Sequence, residues 1–282
     1  MLTVRRHPDV RSFLARAEPW LLEAEIERAG PLQSARQARV DDSRYQKPTY
    51  WATIENGDQI VGCAYRTPPY RVGVTALPQT AFAPLVLDLE AVYQERVSGF
   101  SGVDPAASAL ADLWIARHGG SSSIVSRQFL FLLGTAEPVA ASPAGALRPA
   151  AQRDAALAKE WGDAAAAESG LAPLDGDLCV RLIDVGQLLV WDDGAARCIL
   201  GLLHNTPRAA ALAIVYTPPA ARRKGYARRA VAALNEQLAE RGVAKRYFLV
   251  DPGSRAAQAL ARRLGAELVH ASVDIDFTWA GR

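Results

Sequence analysis

The apolar positions change their period along the chain, and those changes predict its elements. Between residues 9 and 29, Phe13, Leu14, Trp20, Leu21, Leu22 and Ile26 lie among charged residues at helical spacing. This predicts one helix, followed by a polar connection through Gln46. Tyr50–Ile54 and Gln59–Tyr65 read as strands joined by a hairpin turn at Glu55-Asn56-Gly57-Asp58, where Asn-Gly suits the positive φ angles of a tight turn. Val72–Leu77 reads as a third strand, 84–96 as a helix, Gly102–Pro105 as a strand end, Ala106–Ala116 as a helix and Arg127–Leu133 as a last strand. A Pro- and Ala-rich stretch, 136–145, reads as a linker.

Past the linker the pattern is sharper. Leu212, Ile214 and Tyr216 alternate with smaller residues, as in a strand, and Pro218-Pro219 stops the ladder. From Tyr226 the period becomes helical: Ala227, Val231, Leu234 and Leu238 form one apolar face, Arg228, Arg229, Glu236 and Glu240 point away, and Gly242 is placed as a left-handed cap. Between strand and helix lies Arg222-Arg223-Lys224-Gly225. A loop entering a helix presents unpaired N–H groups and the positive end of the helix dipole, a combination that binds phosphate. Gly225 admits close backbone approach. A solvated basic turn is the plainer alternative; the order strand, Pro-Pro, basic glycine loop, helix favours an anion site.

The two halves repeat. Ile60-Val61-Gly62 matches Ile199-Leu200-Gly201, and Thr67-Pro68 matches Thr206-Pro207 at the same offset. Further on, Val103-Asp104-Pro105 matches Val250-Asp251-Pro252, each followed by an Ala-rich stretch, which predicts a duplicated unit. Where the second half has its basic loop, the first has Leu77-Pro78-Gln79-Thr80-Ala81-Phe82-Ala83-Pro84-Leu85. That stretch has no glycine for close approach and no cation for a phosphate, and Pro84 removes a donor.

The segment Arg222-Arg223-Lys224-Gly225-Tyr226-Ala227 resembles the Arg/Gln-x-x-Gly-x-Gly/Ala signature of the GCN5-related N-acetyltransferases (GNAT). Leu147-Arg148-Pro149-Ala150 with Asp154 resembles that family's first strand and its turn into helix one. Tyr247–Pro252 with Ala256–Gly265 resembles its fifth strand and following helix. The resemblance covers about residues 145–282. It implies an α/β (α+β) chain of two GNAT-like domains, each a mixed, mostly antiparallel twisted sheet flanked by helices. Residues 1–135 would be a degenerate copy and 146–282 the acetyl-CoA-binding domain. It also implies that Val215, Tyr216 and Thr217 meet the pantetheine arm and that Arg222, Arg223, Lys224, Gly225, Tyr226 and Ala227 cradle the pyrophosphate. Ser254 would lie where relatives place a cofactor-side asparagine. At the family's proton-donating tyrosine this sequence has Ala261, and the usual aromatic after the next glycine is Ala266. A phenol restored at Ala261 is accordingly expected to leave turnover equal or faster.

Acetyl transfer to an amine needs a neutral nucleophile, a polarised thioester carbonyl and a proton for the leaving thiolate. The candidates for proton handling are Tyr216, Asp251, Ser254 and, after Trp161, Glu168. Each also has an ordinary use: sheet core for Tyr216, helix capping for Asp251 and Ser254, a solvated helix charge for Glu168. The expected reaction is transfer from acetyl-CoA to a small-molecule amine. A non-catalytic acetyl-CoA sensor or interaction module is the alternative, and monomer and homodimer both stay open. Composition adds exclusions: a net charge of +2 over 282 residues is too mild for nucleic acid. No stretch is long and apolar enough for a membrane, and the start of the chain has no apolar signal core. Cys63, Cys179 and Cys198 and the four scattered histidines lack metal spacing. A cytoplasmic protein without a metal is the expectation.

Overall fold

A computed structural model describes residues 2–93, 97–134, 145–169, 175–206 and 208–279. The chain forms two compact units, Met1–Gln128 with His270–Arg282, and Phe129–Val269. The linear boundary expected from the sequence differs at the C-terminus, because the chain's end is claimed by the first unit. Most of the expected linker, 136–144, and Pro207 of the second Thr-Pro turn lie outside the described residues.

The first unit runs β1 (Leu2–Arg6), α1 (Val10–Glu23), α2 (Ala29–Val40), β2 (Tyr50–Asn56), β3 (Gln59–Arg66), β4 (Val72–Val74), α3 (Phe82–Val92), β5 (Gly99–Val103), α4 (Ala106–His118) and into β6 (Ser121–Leu133). The second runs β7 (Ala146–Pro149), α5 (Ala155–Ser169), α6 (Gly176–Asp184), β8 (Leu188–Asp192), β9 (Ala196–Thr206), β10 (Ala209–Tyr216), α7 (Tyr226–Glu240), β11 (Lys245–Val250), α8 (Arg255–Arg263) and into β12 (Glu267–Thr278). Strands and helices come in the same order in both. Within the first unit the sheet order is β1-β2-β3-β4-β5-β12, and within the second β6-β11-β10-β9-β8-β7. Each unit is thus closed by the final strand of the other half of the chain. Ser272–Asp276 pair antiparallel with β5, and Phe129–Leu133 with β11.

The hairpin β2–β3 forms where Asn56-Gly57 predicts it, with Gly57 at φ 59°. The helix expected over 9–29 stops at Glu23, and a second helix follows it. Asp9 caps α1 by accepting from the Ser12 N–H at 2.7 Å. Ala24 then leaves helical geometry at φ −131°, ψ 59°, and α2 occupies the expected polar connection. The buried stripe of α2 is Pro31, Leu32, Ala35 and Ala38, mostly too small to mark an apolar face. Strand β1, with Leu2 and Val4 facing one way, is a further element that the sequence pattern does not signal, and β4 stops at Val74 rather than Leu77.

Both sheets are covered on two faces, so consecutive strand residues are buried. In the first unit Tyr50, Ala52 and Ile54 join Leu85, Leu89, Leu110 and Trp114 from α3 and α4, whereas Trp51 and Cys63 join Phe13, Leu21 and Leu32 from α1 and α2. In the second, Leu189, Trp191 and Leu200 pack with Val231, Leu234 and Leu238 of α7, and Leu188, Val190 and Ile199 with Trp161 and Leu182 of α5 and α6. Arg148 ties β7 to the turn before α5 and to the end of β8. It donates to both Asp154 oxygens, at 2.8 and 3.0 Å, and to Asp192 at 2.9 Å. The bonds from Arg148 hold the Asp154 carboxyl below the usual range.

Candidate acyl-transfer site

The site begins with a slip in one strand. Strand β10 pairs antiparallel with β9, but its register shifts between Leu212 and Ile214, leaving Ala213 as a β-bulge. Alternation is therefore broken. Ala210 and Leu212 face the α7–α8 core, whereas Ile214 and Tyr216 face the α5–α6 core. The sequence pattern puts Leu212, Ile214 and Tyr216 on one face; the bulge overturns that. A bulge also bends and twists its strand. The parallel ladder of β10 with β11 runs from Ala209↔Lys245 to Leu212↔Phe248. Among the described residues it goes no further, although β10 continues to Tyr216 and β11 to Val250. The strand ends part just past the bulge.

Beyond Tyr216 the chain turns through Pro219–Ala221 and the exposed residues Arg222, Arg223, Lys224 and Gly225 into α7. Gly225 is the N-terminal cap at φ 85°, ψ 5°, and Arg223 is also left-handed at φ 63°. A non-glycine residue held there is uncommon. A Cβ added at Gly225 would meet nothing nearer than Arg229 Cζ at 3.8 Å, so the cradle above the helix end is open. Tyr226 and Ala227 pack partly on the core. The Tyr226 hydroxyl donates to Asp193 Oδ2 at 2.7 Å, and Arg197 holds the other oxygen at 2.6 Å. Sequence reasoning misses that anchor in the β8–β9 turn, because the Asp193-Gly194 pair signals only a turn.

The structure brings together three residues expected separately. Glu168, near the end of α5, accepts from Arg222 Nη2 at 2.7 and 2.8 Å and from the Tyr216 hydroxyl at 3.3 Å. Arg222 Nε donates to the Thr217 carbonyl at 2.8 Å, and its guanidinium lies 5.5 Å from the Tyr216 ring centre. Trp161, also not anticipated as a site residue, backs that ring at 6.3 Å. Burial and the neighbouring Glu168 push the Tyr216 phenol above its ordinary value, and the pair with Glu168 raises Arg222. Tyr216 therefore keeps its proton at neutral pH, which suits a donor rather than a base.

Asp251 and Ser254 stand apart from that trio. Asp251 Oδ1 accepts from the Gly253 N–H at 2.6 Å, and Ser254 caps α8 by accepting from Ala257 N–H at 3.3 Å. Ala261 is fully buried in the α7–α8 core beside Phe131, Leu234 and Phe248. This burial speaks against a restored phenol there, since a ring could enter only by displacing its neighbours. Ala261→Tyr is expected to lose about 1–3 kcal/mol or more through overpacking, seen as a lower melting temperature, without gain in turnover.

The first unit lacks this geometry. Strand β4 is laddered to β5 along its whole length, Val72↔Phe100 to Val74↔Gly102. Gly102, at φ 142°, lets the strands close: a Cβ there would lie 2.0 Å from the Val74 carbonyl oxygen. Gln79–Ala81 then lead directly into α3, capped by Ala81 in right-handed geometry.

Strands that part at a bulge thus open onto a glycine-capped basic loop and the N-terminus of α7. Residues 159–266 match the profile of the Acetyltransferase (GNAT) family. Solved structures share the fold along the whole chain. A Drosophila protein has 15% identity and TM-score 0.60 over 98% of each chain. A GCN5-related N-acetyltransferase from Sphaerobacter thermophilus has 16% identity and TM-score 0.54, covering 100% of this chain and 97% of its own. A tandem GNAT protein from the clavulanic acid biosynthesis pathway has 14% identity and TM-score 0.52, covering 100% of this chain and 99% of its own. Among curated proteins the sequence has no match. The second unit thus matches the GNAT family over residues 159–266, and the chain as a whole shares its fold with solved structures that include a tandem GNAT protein. No helix of the described residues is long and apolar enough to cross a membrane.

Proposed function

We propose that the chain transfers an acetyl group from acetyl-CoA to the amine of a small molecule, using the second unit alone. The observation carrying this reading is the continuity of three features: the bulge at Ala213, the parted end of β10, and the left-handed Gly225 opening α7. Freed backbone at Val215, Tyr216 and Thr217 suits the pantetheine amides. The N-terminus of α7 with exposed Arg223 and Lys224 suits a pyrophosphate. When bound, acetyl-CoA supplies the activated acyl group.

The residues around the opening supply the rest. Glu168 is the acceptor-side carboxylate, and Tyr216 is the proton donor, with its phenol held protonated. Asp251 and Ser254 shape the turn after β11, and Ser254 is left as a contact on the cofactor side. We place the reaction in the cytoplasm without a metal. The alternative reading is a non-catalytic acetyl-CoA sensor: buried Ala261 supplies no acid, so turnover rests on Tyr216.

Turnover of acetyl-CoA across a set of amines separates the two readings: release of free thiol with any amine supports the enzyme, and binding without release supports the sensor. Calorimetric titration is expected to give one equivalent of acetyl-CoA per chain, because in the first unit the strands are closed and the loop is absent. Two equivalents would contradict the assignment of the site to one unit.

A further inference from the structure

We propose that Glu168 and Arg222 form an exchange pair, in which cofactor pyrophosphate takes the arginine and the released carboxylate beside Tyr216 receives a positively charged acceptor. The inference rests on the acetyl-CoA reading and names the acceptor class for that site.

The geometry of the guanidinium carries it. Its two-pronged edges are Nε with Nη2 and Nη1 with Nη2, so either bidentate grip on a phosphate uses Nη2. In this structure both Glu168 oxygens hold Nη2, at 2.7 and 2.8 Å, while Nε is turned back onto the Thr217 carbonyl. Arg222 is the first residue of the loop, yet it faces the end of α5 rather than the helix N-terminus it precedes. Arg223 and Lys224, by contrast, have no ion pair among the described residues. A pyrophosphate seated on that N-terminus, with two negative charges against one, draws Nη2 away.

The consequence falls on Glu168. Its side chain is 49% exposed, as is 40% of Arg222, so the pair is weak and breakable. With Arg222 gone, its carboxylate keeps the Tyr216 hydroxyl at 3.3 Å and carries an uncompensated charge at the acceptor side. An ammonium restores the balance there. An amine bearing a second, permanently protonated nitrogen is then preferred over an uncharged alkylamine. Occupancy by CoA and by such an amine becomes mutually favourable, since coupling between two sites is reciprocal.

The test uses the full chain and two readouts. Calorimetry with CoA is run on wild type, Glu168→Gln, Arg222→Ala and the double variant. Glu168→Gln is expected to bind CoA up to about fivefold tighter, the range of an exposed ion pair, and that gain is expected to vanish in the Arg222→Ala background. A gain that persists without Arg222 means simple repulsion between Glu168 and the pyrophosphate and overturns the exchange. An unchanged or weaker affinity in Glu168→Gln overturns it too.

Turnover of acetyl-CoA is then compared for 1,4-diaminobutane and butylamine. The diamine is expected to have the higher kcat/KM in wild type, the preference being lost in Glu168→Gln and partly kept in Glu168→Asp. Equal use of both amines, or use of neither, overturns the acceptor half. A wild type that binds no CoA defeats the acetyl-CoA reading itself, an outcome distinct from all of these.

Discussion

Replacing Gly225 with valine is expected to weaken acetyl-CoA binding by about 100-fold or more while the unit stays folded. The cause is backbone geometry, not space. Nothing crowds a Cβ at this position, its nearest neighbour being the far end of Arg229 at 3.8 Å. The residue instead holds φ 85°, a region that a β-branched side chain avoids. Strain of this kind costs about 1–3 kcal/mol, and the exposed loop relieves it by rotating the peptide. Rotation moves the first N–H groups of α7 off the line of the helix dipole, which is where a phosphate needs them. Arg223, left-handed at φ 63°, is then also released, so the loss compounds.

The core contacts of α7 through Val231, Leu234 and Leu238 lie away from the loop, and they keep the helix in place. Gly225→Ala is expected to give a smaller loss, because alanine enters the left-handed region more readily than valine. Calorimetry reports the affinities, and circular dichroism with a thermal melt reports the fold. An unchanged affinity in the valine variant would remove the pyrophosphate site and the functional reading with it.

Much of the second unit is legible in the sequence because its chemistry is local. Pro218-Pro219, the basic residues, Gly225 and the four apolar positions of α7 each signal what the structure shows at that point. The bulge at Ala213 is not legible, for a physical reason. Residues 209–216 are apolar throughout and buried on both sheet faces, so no polar phase marks a one-residue slip. The slip decides where Tyr216 points, and with it the grouping of Tyr216, Glu168 and Arg222. Helix α2 is hidden because its buried stripe is mainly alanine. The pairing of 272–276 with β5 is hidden because it joins residues far apart in sequence. Ala261 shows the limit of counting positions from a motif: the count reaches a buried core residue, not one that opens onto the site.

Tyr216→Phe is expected to lower turnover by about 100-fold while leaving acetyl-CoA affinity within about twofold. The ring stays packed against Trp161 and under Arg222, so the loop keeps its support. What is lost is the hydroxyl, 3.3 Å from Glu168. General acid catalysis contributes about 10²–10⁴-fold. The lower end applies here, because a thiol leaving group with an ordinary pKa of about 8.5 departs near neutral pH without strong help. Burial, then Glu168, raises the phenol above its ordinary value. The donating form therefore persists to higher pH than in a free tyrosine, and the alkaline fall of the wild-type rate should lie above the range where a free phenol titrates. In Tyr216→Phe that alkaline fall should disappear. A pH series of turnover under saturating acetyl-CoA measures both effects. An unchanged rate, or an alkaline fall that survives the substitution, assigns the proton to water and leaves Tyr216 as packing for the strand end.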